Sequence, residues 1–164
     1  MKAIFYASST GNIEEVASKI NEKMNGFELI DIADEGIDKM KEYENLILGV
    51  STWGEGDLQD DWEDCLDEIQ KIDFSNKTVA LFGLGDQDGY PDEFANALGI
   101  IHEEVIEKGA NIIGHTSIDG YEYDESRAEV DGRFVGLVID EDNQSDLTDS
   151  RIDAWCNEIK SSFN

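Results

Sequence analysis

Basic residues are scarce in this sequence: 12 Lys and Arg stand against 39 Asp and Glu in 164 residues, a formal net charge of −27 at pH 7. That imbalance makes nucleic acid and anionic membrane surfaces poor partners and steers the molecule toward basic proteins, through a field that weakens as salt rises. Cysteine is nearly absent. Cys65 and Cys156 form no C-x-x-C pair and adjoin no His cluster, so neither a disulfide framework nor a zinc site is suggested, and a reducing compartment is the simplest home. The two histidines, His102 and His115, have no second ligand residue paired with them. There is 1 proline, and 40% of the residues are hydrophobic and 9% aromatic, so the chain is neither disordered nor of low complexity. Long apolar runs are missing as well: the stretch after Met1 and Lys2 ends at Ala7, too short for a membrane span or a secretory signal. The expectation is a soluble, cytoplasmic protein, in which the acceptor-like tripeptides Asn76-Lys77-Thr78 and Asn143-Gln144-Ser145 are chance matches.

What the chain does contain is enough apolar material for one core, and residues 1–164 are read as a single domain. Ala3-Ile4-Phe5-Tyr6-Ala7 reads as a buried strand, since a short continuous apolar run suits a sheet covered on both faces. Ile13, Val16, Ala17, Ile20 and Met24 then follow at helical spacing, on one side of a helix starting near Gly11. Similar apolar runs recur at Phe27 to Ile32, Leu46 to Val50, Thr78 to Gly83, Asn111 to Gly114 and Phe134 to Ile139, mostly with helical patterns between them. Such alternation predicts a doubly wound α/β domain with a parallel sheet. Three stripes are assigned to the core: Trp62, Cys65, Leu66 and Ile69; Phe94, Leu98, Ile101 and Val105; and Ile152, Trp155, Cys156, Ile159 and Phe163. The stretch from Ser117 to Arg133 breaks the alternation and reads as a long excursion within the last strand.

Three loops carry candidate chemistry. Between the first strand and first helix lies Ser8-Ser9-Thr10-Gly11-Asn12, whose hydroxyls and helix N-terminal amides could cradle a phosphate; ordinary helix capping by Ser or Thr is the competing reading. No Lys or Arg occurs between Lys2 and Lys19, so a phosphate there rests on neutral donors, and the missing loop lysine points away from an ATPase. After the third strand, Ser51-Thr52-Trp53-Gly54-Glu55-Gly56-Asp57 places Trp53 among small residues, exposed and available. After the fourth, Gly83-Leu84-Gly85-Asp86-Gln87-Asp88-Gly89-Tyr90-Pro91 offers Tyr90 as its counterpart. All three loops fall at one end of a parallel sheet, where ligands bind in such folds.

Those loops, with Leu58-Gln59 and Trp62, Phe134-Val135-Gly136-Leu137, and Asp140-Glu141-Asp142-Asn143-Gln144, resemble a flavodoxin over essentially the whole chain. The excursion from Ser117 to Arg133 resembles the insertion of the long-chain branch. From the resemblance, and not from spacing, come a five-stranded flavodoxin-like sheet of order 2-1-3-4-5 and a cofactor, flavin mononucleotide (FMN), at the switch point of that order. The resemblance implies a low-potential one-electron carrier, not an enzyme, that shuttles between semiquinone and hydroquinone. It places Trp53 and Tyr90 on either side of the flavin ring, Ser8, Ser9, Thr10, Gly11, Asn12 and Ile13 at the phosphate, and Thr52, Gly54, Glu55, Gly56 and Gly85 along the ring. Asp86 and Asp142 lie near the ribityl chain by the same resemblance.

One departure stands out: Ile13 occupies a position where the family usually has Thr or Ser, so one side-chain donor is lost, with an expected weakening of ~1 kcal/mol. Gly54 suits a peptide that turns to meet the reduced ring, because glycine takes positive φ at little cost. Eight acids and no basic residue lie between Ser51 and Glu68; a solvated face is the usual reading of such a run, and docking of basic redox proteins such as ferredoxin-type NADP reductase or photosystem I is the reading the resemblance adds. Charge repulsion favours a monomer. The enzymatic alternative is a flavodoxin-like NAD(P)H:quinone reductase, for which no nicotinamide-binding signature is evident. A phospho-receiver domain lacks its acidic residues at Ala7-Ser8-Ser9 and Val50-Ser51-Thr52. A calcium loop at Asp140 to Arg151 lacks its central glycine and closing Glu.

Overall fold

The computed structural model describes residues 1–7, 11–53 and 55–163. Strands β1 (Lys2–Tyr6), β2 (Glu28–Asp31), β3 (Asn45–Trp53) and β4 (Thr78–Leu84) pair in parallel in the order β2-β1-β3-β4. Two collinear segments share the next position. Strand β5 (Asn111–Ile113) pairs in parallel with the first half of β4, and β6 (Leu137–Ile139) with its second half. The order is therefore 2-1-3-4-5 as expected, with the fifth place divided by the excursion.

That division corrects the reading of Phe134 to Ile139 as one strand. Arg133–Phe134 instead pairs antiparallel with Thr116–Ser117 and Glu129–Val130 in a separate small sheet. The chain rejoins the main sheet past Gly136, where a Cβ would lie 2.0 Å from the Leu81 carbonyl oxygen. Only glycine passes that close to a neighbouring strand.

Alternation along each strand sends side chains to opposite faces. Phe5, Leu48 and Leu81 join one core, covered by α2 (Asp60–Asp64), α3 (Leu66–Ile69) and α4 (Asn96–Glu107). Ile4, Ile47 and Ala80 join the other, covered by α1 (Asn12–Met24) and α5 (Thr148–Ile159). All five apolar residues expected on one side of α1 are buried, and so are the stripes on α4 and α5. Trp62 and Trp155 are core residues as expected, and their indole N–H groups donate to Gly49 O at 2.9 Å and Gly114 O at 2.8 Å, so neither polar atom is stranded.

The Trp62 to Ile69 stripe is corrected in part. Helix α2 stops at Asp64 and α3 begins after Cys65, leaving Trp62 and Ile69 buried but Cys65 and Leu66 only half-buried. Six acids fall in the nine residues from Asp60 to Glu68; like charges three and four apart weaken a helix by about 0.2–0.5 kcal/mol per pair. His102 sits within α4, buried, and its burial lowers its pKa. Among the described residues no helix is long and apolar enough to cross a membrane, and Cys65 and Cys156 are both free.

Candidate functional site

The carboxyl ends of β1, β3, β4 and β6 open onto a cleft of about 300 Å³, at the low end of the ~300–1,000 Å³ of small-molecule sites. A parallel sheet brings these ends together because each strand is followed by a crossover, so all its C-terminal loops share one side. Trp53 and Tyr90 both line the cleft and remain 43% and 39% exposed. Two large aromatic side chains left in solvent beside one cavity offer flat apolar faces that a planar ligand could cover.

Trp53 is the last residue of β3. It is held in register by a short antiparallel return in which Thr52 faces Leu58 and Trp53 faces Asp57. Gly56 closes that return at φ +92, where a Cβ would meet the Asn96 side chain at 2.9 Å. Thr52 Oγ1 accepts the Ala97 N–H at 3.1 Å. It serves an orphan amide in the first turn of α4, where Ala95 supplies no side-chain cap.

Tyr90 stands on the loop after β4. Gly85 N–H donates to Ile139 O at 3.1 Å, extending the ladder by one rung, and a Cβ at Gly85 would press on Phe94 and the Ala95 amide at about 3 Å. The chain then turns around Asp86. Its carboxylate Oδ1 accepts the Gly89 N–H at 2.8 Å, and its carbonyl accepts the Tyr90 N–H at 2.9 Å. The Gly89 amide and the Asn143 side chain hold the Asp86 carboxyl below its usual range. Asp142 is pushed the other way, by desolvation first and then by the charges of Asp86, Asp140 and Glu141.

Of the residues singled out from sequence, Asn12, Thr52, Trp53, Gly85, Asp86, Tyr90 and Asp142 line the cleft together. Gly11, Ile13, Glu55 and Gly56 do not. Gly11 precedes α1 at φ +90; Glu55 is exposed in the return after Trp53, and Gly56 is buried against α4. The Ile13 side chain lies in the core at 1% exposure, which leaves only its backbone amide to face a ligand. Ser8, Ser9, Thr10 and Gly54 lie outside the described residues.

Sequence reasoning passed over Ser51, Leu84, Glu93 and Glu141, which also line the cleft. Ser51 and Leu84 adjoin Thr52 and Gly85, so extending each strand end by one residue would have found them; nothing local marks Glu93. It also passed over Asp140, fully buried at the end of β6, whose carboxylate accepts from Gln87 and Asn143. One carboxylate oxygen from each of Asp86, Asp140 and Asp142 falls within 4.8 Å of the others, and the Asn143 amide between them donates to Asp86 and Asp140.

A family model described as Flavodoxin matches residues 4–155. A flavodoxin of a Picosynechococcus species is 44% identical over 163 residues, covering 98% of this chain and 96% of that one. A Helicobacter pylori flavodoxin is 44% identical over 160 residues, with coverage of 98% and 96%. Among solved structures, Fusobacterium nucleatum flavodoxin bound to flavin mononucleotide superposes with a TM-score of 0.92 at 34% identity, covering 99% of this chain and 98% of that one.

Proposed function

The chain belongs to the flavodoxin family, and from that premise we propose that its cleft binds FMN non-covalently and that the protein carries single electrons between redox enzymes. Flavodoxins are electron-transfer flavoproteins rather than enzymes, and the two relatives described above carry that name rather than a reductase's. The observation that carries the reading in this chain is the pair Trp53 and Tyr90, exposed on one cleft at the carboxyl edge of the sheet. The residues present suit the cofactor: flat aromatic faces for a tricyclic ring and a helix N-terminus for a phosphate.

When bound, FMN supplies the electron chemistry by taking up and releasing electrons one at a time. Trp53 and Tyr90 stack against the ring and exclude water from its faces. The amides of Asn12 and Ile13 at the start of α1, with the hydroxyls of Ser8, Ser9 and Thr10, receive the phosphate, where the helix dipole favours an anion. By the family resemblance, Gly85, Thr52 and the Gly54-Glu55 segment would border the ring edge, with Asp86 and Asp142 toward the ribityl chain. Asp86, Glu93, Glu141 and Asp142 surround the cleft with carboxylates. They disfavour added negative charge and so lower the potential at which the reduced cofactor gives up its electron; ~59 mV corresponds to a factor of ten.

The acidic face between Ser51 and Glu68 sits beside Trp53 and suits basic redox partners, such as ferredoxin-type NADP reductase or photosystem I, in brief salt-sensitive encounters. A monomer working in the cytoplasm fits the charge and the two free thiols. The test is FMN titration of the purified apoprotein, followed by anaerobic stepwise reduction. Tight 1:1 binding with two separate one-electron steps is expected. A protein that stays colourless with added FMN refutes the cofactor, and a single two-electron step, or unaided NADPH oxidation, supports the reductase instead.

A further inference from the structure

Tyr90 is 39% exposed on a loop with no regular structure, yet a stacking face is useful only if it is held in place before the ligand arrives. What holds it is a polar chain anchored on two buried side chains, Gln87 and Asp140. Gln87, 4% exposed, donates its backbone N–H at 3.1 Å and its side-chain Nε2 at 2.7 Å to Asp140 Oδ2, and Asp140 has no exposed surface. The other end of the same amide, Oε1, accepts the Glu122 N–H at 2.6 Å. Asn143 donates to Asp140 Oδ2 at 2.9 Å and to Asp86 Oδ1 at 2.8 Å, the oxygen that also receives the Gly89 N–H. Three segments thus meet on one side chain: the end of β6, the Tyr90 loop, and the excursion.

We propose that Gln87 is a positioning residue for the cofactor's stacking face: by joining Asp140 to Glu122 it locks the Asp86 to Tyr90 turn and presents Tyr90 before FMN binds. The chemistry demands an amide. Asp140 needs donors and the Glu122 N–H needs an acceptor, and glutamine supplies both from one planar group. A leucine of similar size supplies neither: the buried carboxylate keeps the backbone N–H of residue 87 but loses the Nε2 donor, and the Glu122 N–H loses its acceptor. The inference rests on the FMN reading given above.

The test is a double-mutant cycle of Gln87→Leu and Tyr90→Ala, with FMN affinity measured for all four proteins and amide hydrogen exchange followed in the apoproteins. Gln87→Leu is expected to raise the FMN Kd about tenfold in the parent and less than twofold in the Tyr90→Ala background. In the apoprotein it speeds exchange at the Gly89 and Tyr90 amides while β1 and β3 stay protected. An undiminished cost in the Tyr90→Ala background, or unchanged exchange at Tyr90, overturns the proposal. Should Gln87→Leu fail to fold, Asp140→Asn, which keeps the shape but sets a donor against Gln87 or Asn143, carries the same cycle. A parent protein that binds no FMN refutes the function reading, while the exchange measurement still decides the role of Gln87.

Discussion

Replacing Trp53 by alanine tests the proposed function at the residue that carries most of it. Trp53 leaves 43% of its surface in solvent, which for a side chain of about 250 Å² is roughly 110 Å². If a planar ring covers about half of that, roughly 55 Å² leaves water on each of the two partners, and at ~25 cal/mol per Å² the contact is worth about 2.7 kcal/mol. That corresponds to a rise in FMN Kd of about 90-fold. Trp53 stands outside the core clusters but is already more than half covered, so the apoprotein should also lose about 1–2 kcal/mol, which the affinity measurement must be read against. Fluorescence titration of the apoprotein with FMN measures the affinity, and urea unfolding of the same sample measures the stability. Trp53→Phe keeps a flat face and should recover most of the affinity. If Trp53→Ala binds FMN within about threefold of the parent, area and stacking are the wrong account of this cleft.

Ile13→Thr places a hydroxyl in the core position beside Val16 and Ala17, so the apoprotein should lose about 1–2 kcal/mol in urea unfolding; a gain in FMN affinity of about fivefold, read by titration, accompanies it if that hydroxyl reaches the phosphate. FMN should bind more tightly as salt rises, since the charge of −27 repels a phosphate dianion and salt screens that repulsion; riboflavin, which lacks the phosphate, should show a weaker salt dependence in parallel titrations. Burial, then His115, lowers the His102 pKa in the fold, so the unfolded chain binds the proton first and stability falls as pH drops below about 6.5 toward the lower folded pKa. The difference in unfolding free energy between the parent and His102→Gln, followed from pH 7.5 to pH 5, isolates that contribution; an equal slope in both proteins refutes it.

Much of this protein was legible in one dimension because burial writes itself as periodicity. The apolar runs that became β1, β3 and β4, and the stripe that became the inner face of α1, reflect side chains that must leave water, and their periods of two and 3.6 are local properties of the backbone. Trp53 and Tyr90 were legible for the converse reason: each has glycines close by in the sequence and falls outside any stripe that would have claimed it for the core. The charge needs no structure at all.

Other features belonged to the third dimension alone. Phe134 to Ile139 is a continuous apolar run, yet Gly136 divides it between two sheets, a decision made by the Leu81 carbonyl it passes. The Trp62 to Ile69 stripe keeps its period while the helix beneath it breaks at Cys65. Ile13 stands in a candidate phosphate loop and also on the apolar stripe of α1, and only packing shows that its side chain went inward. Asp140 is the strongest case: a charged residue in an acidic run reads as solvent-exposed, and its burial becomes tolerable only when Gln87, 53 residues earlier, and Asn143 supply donors. Hydrophobic patterning is short-range and survives in the sequence; the pairing of polar groups from distant segments exists only once the chain has folded.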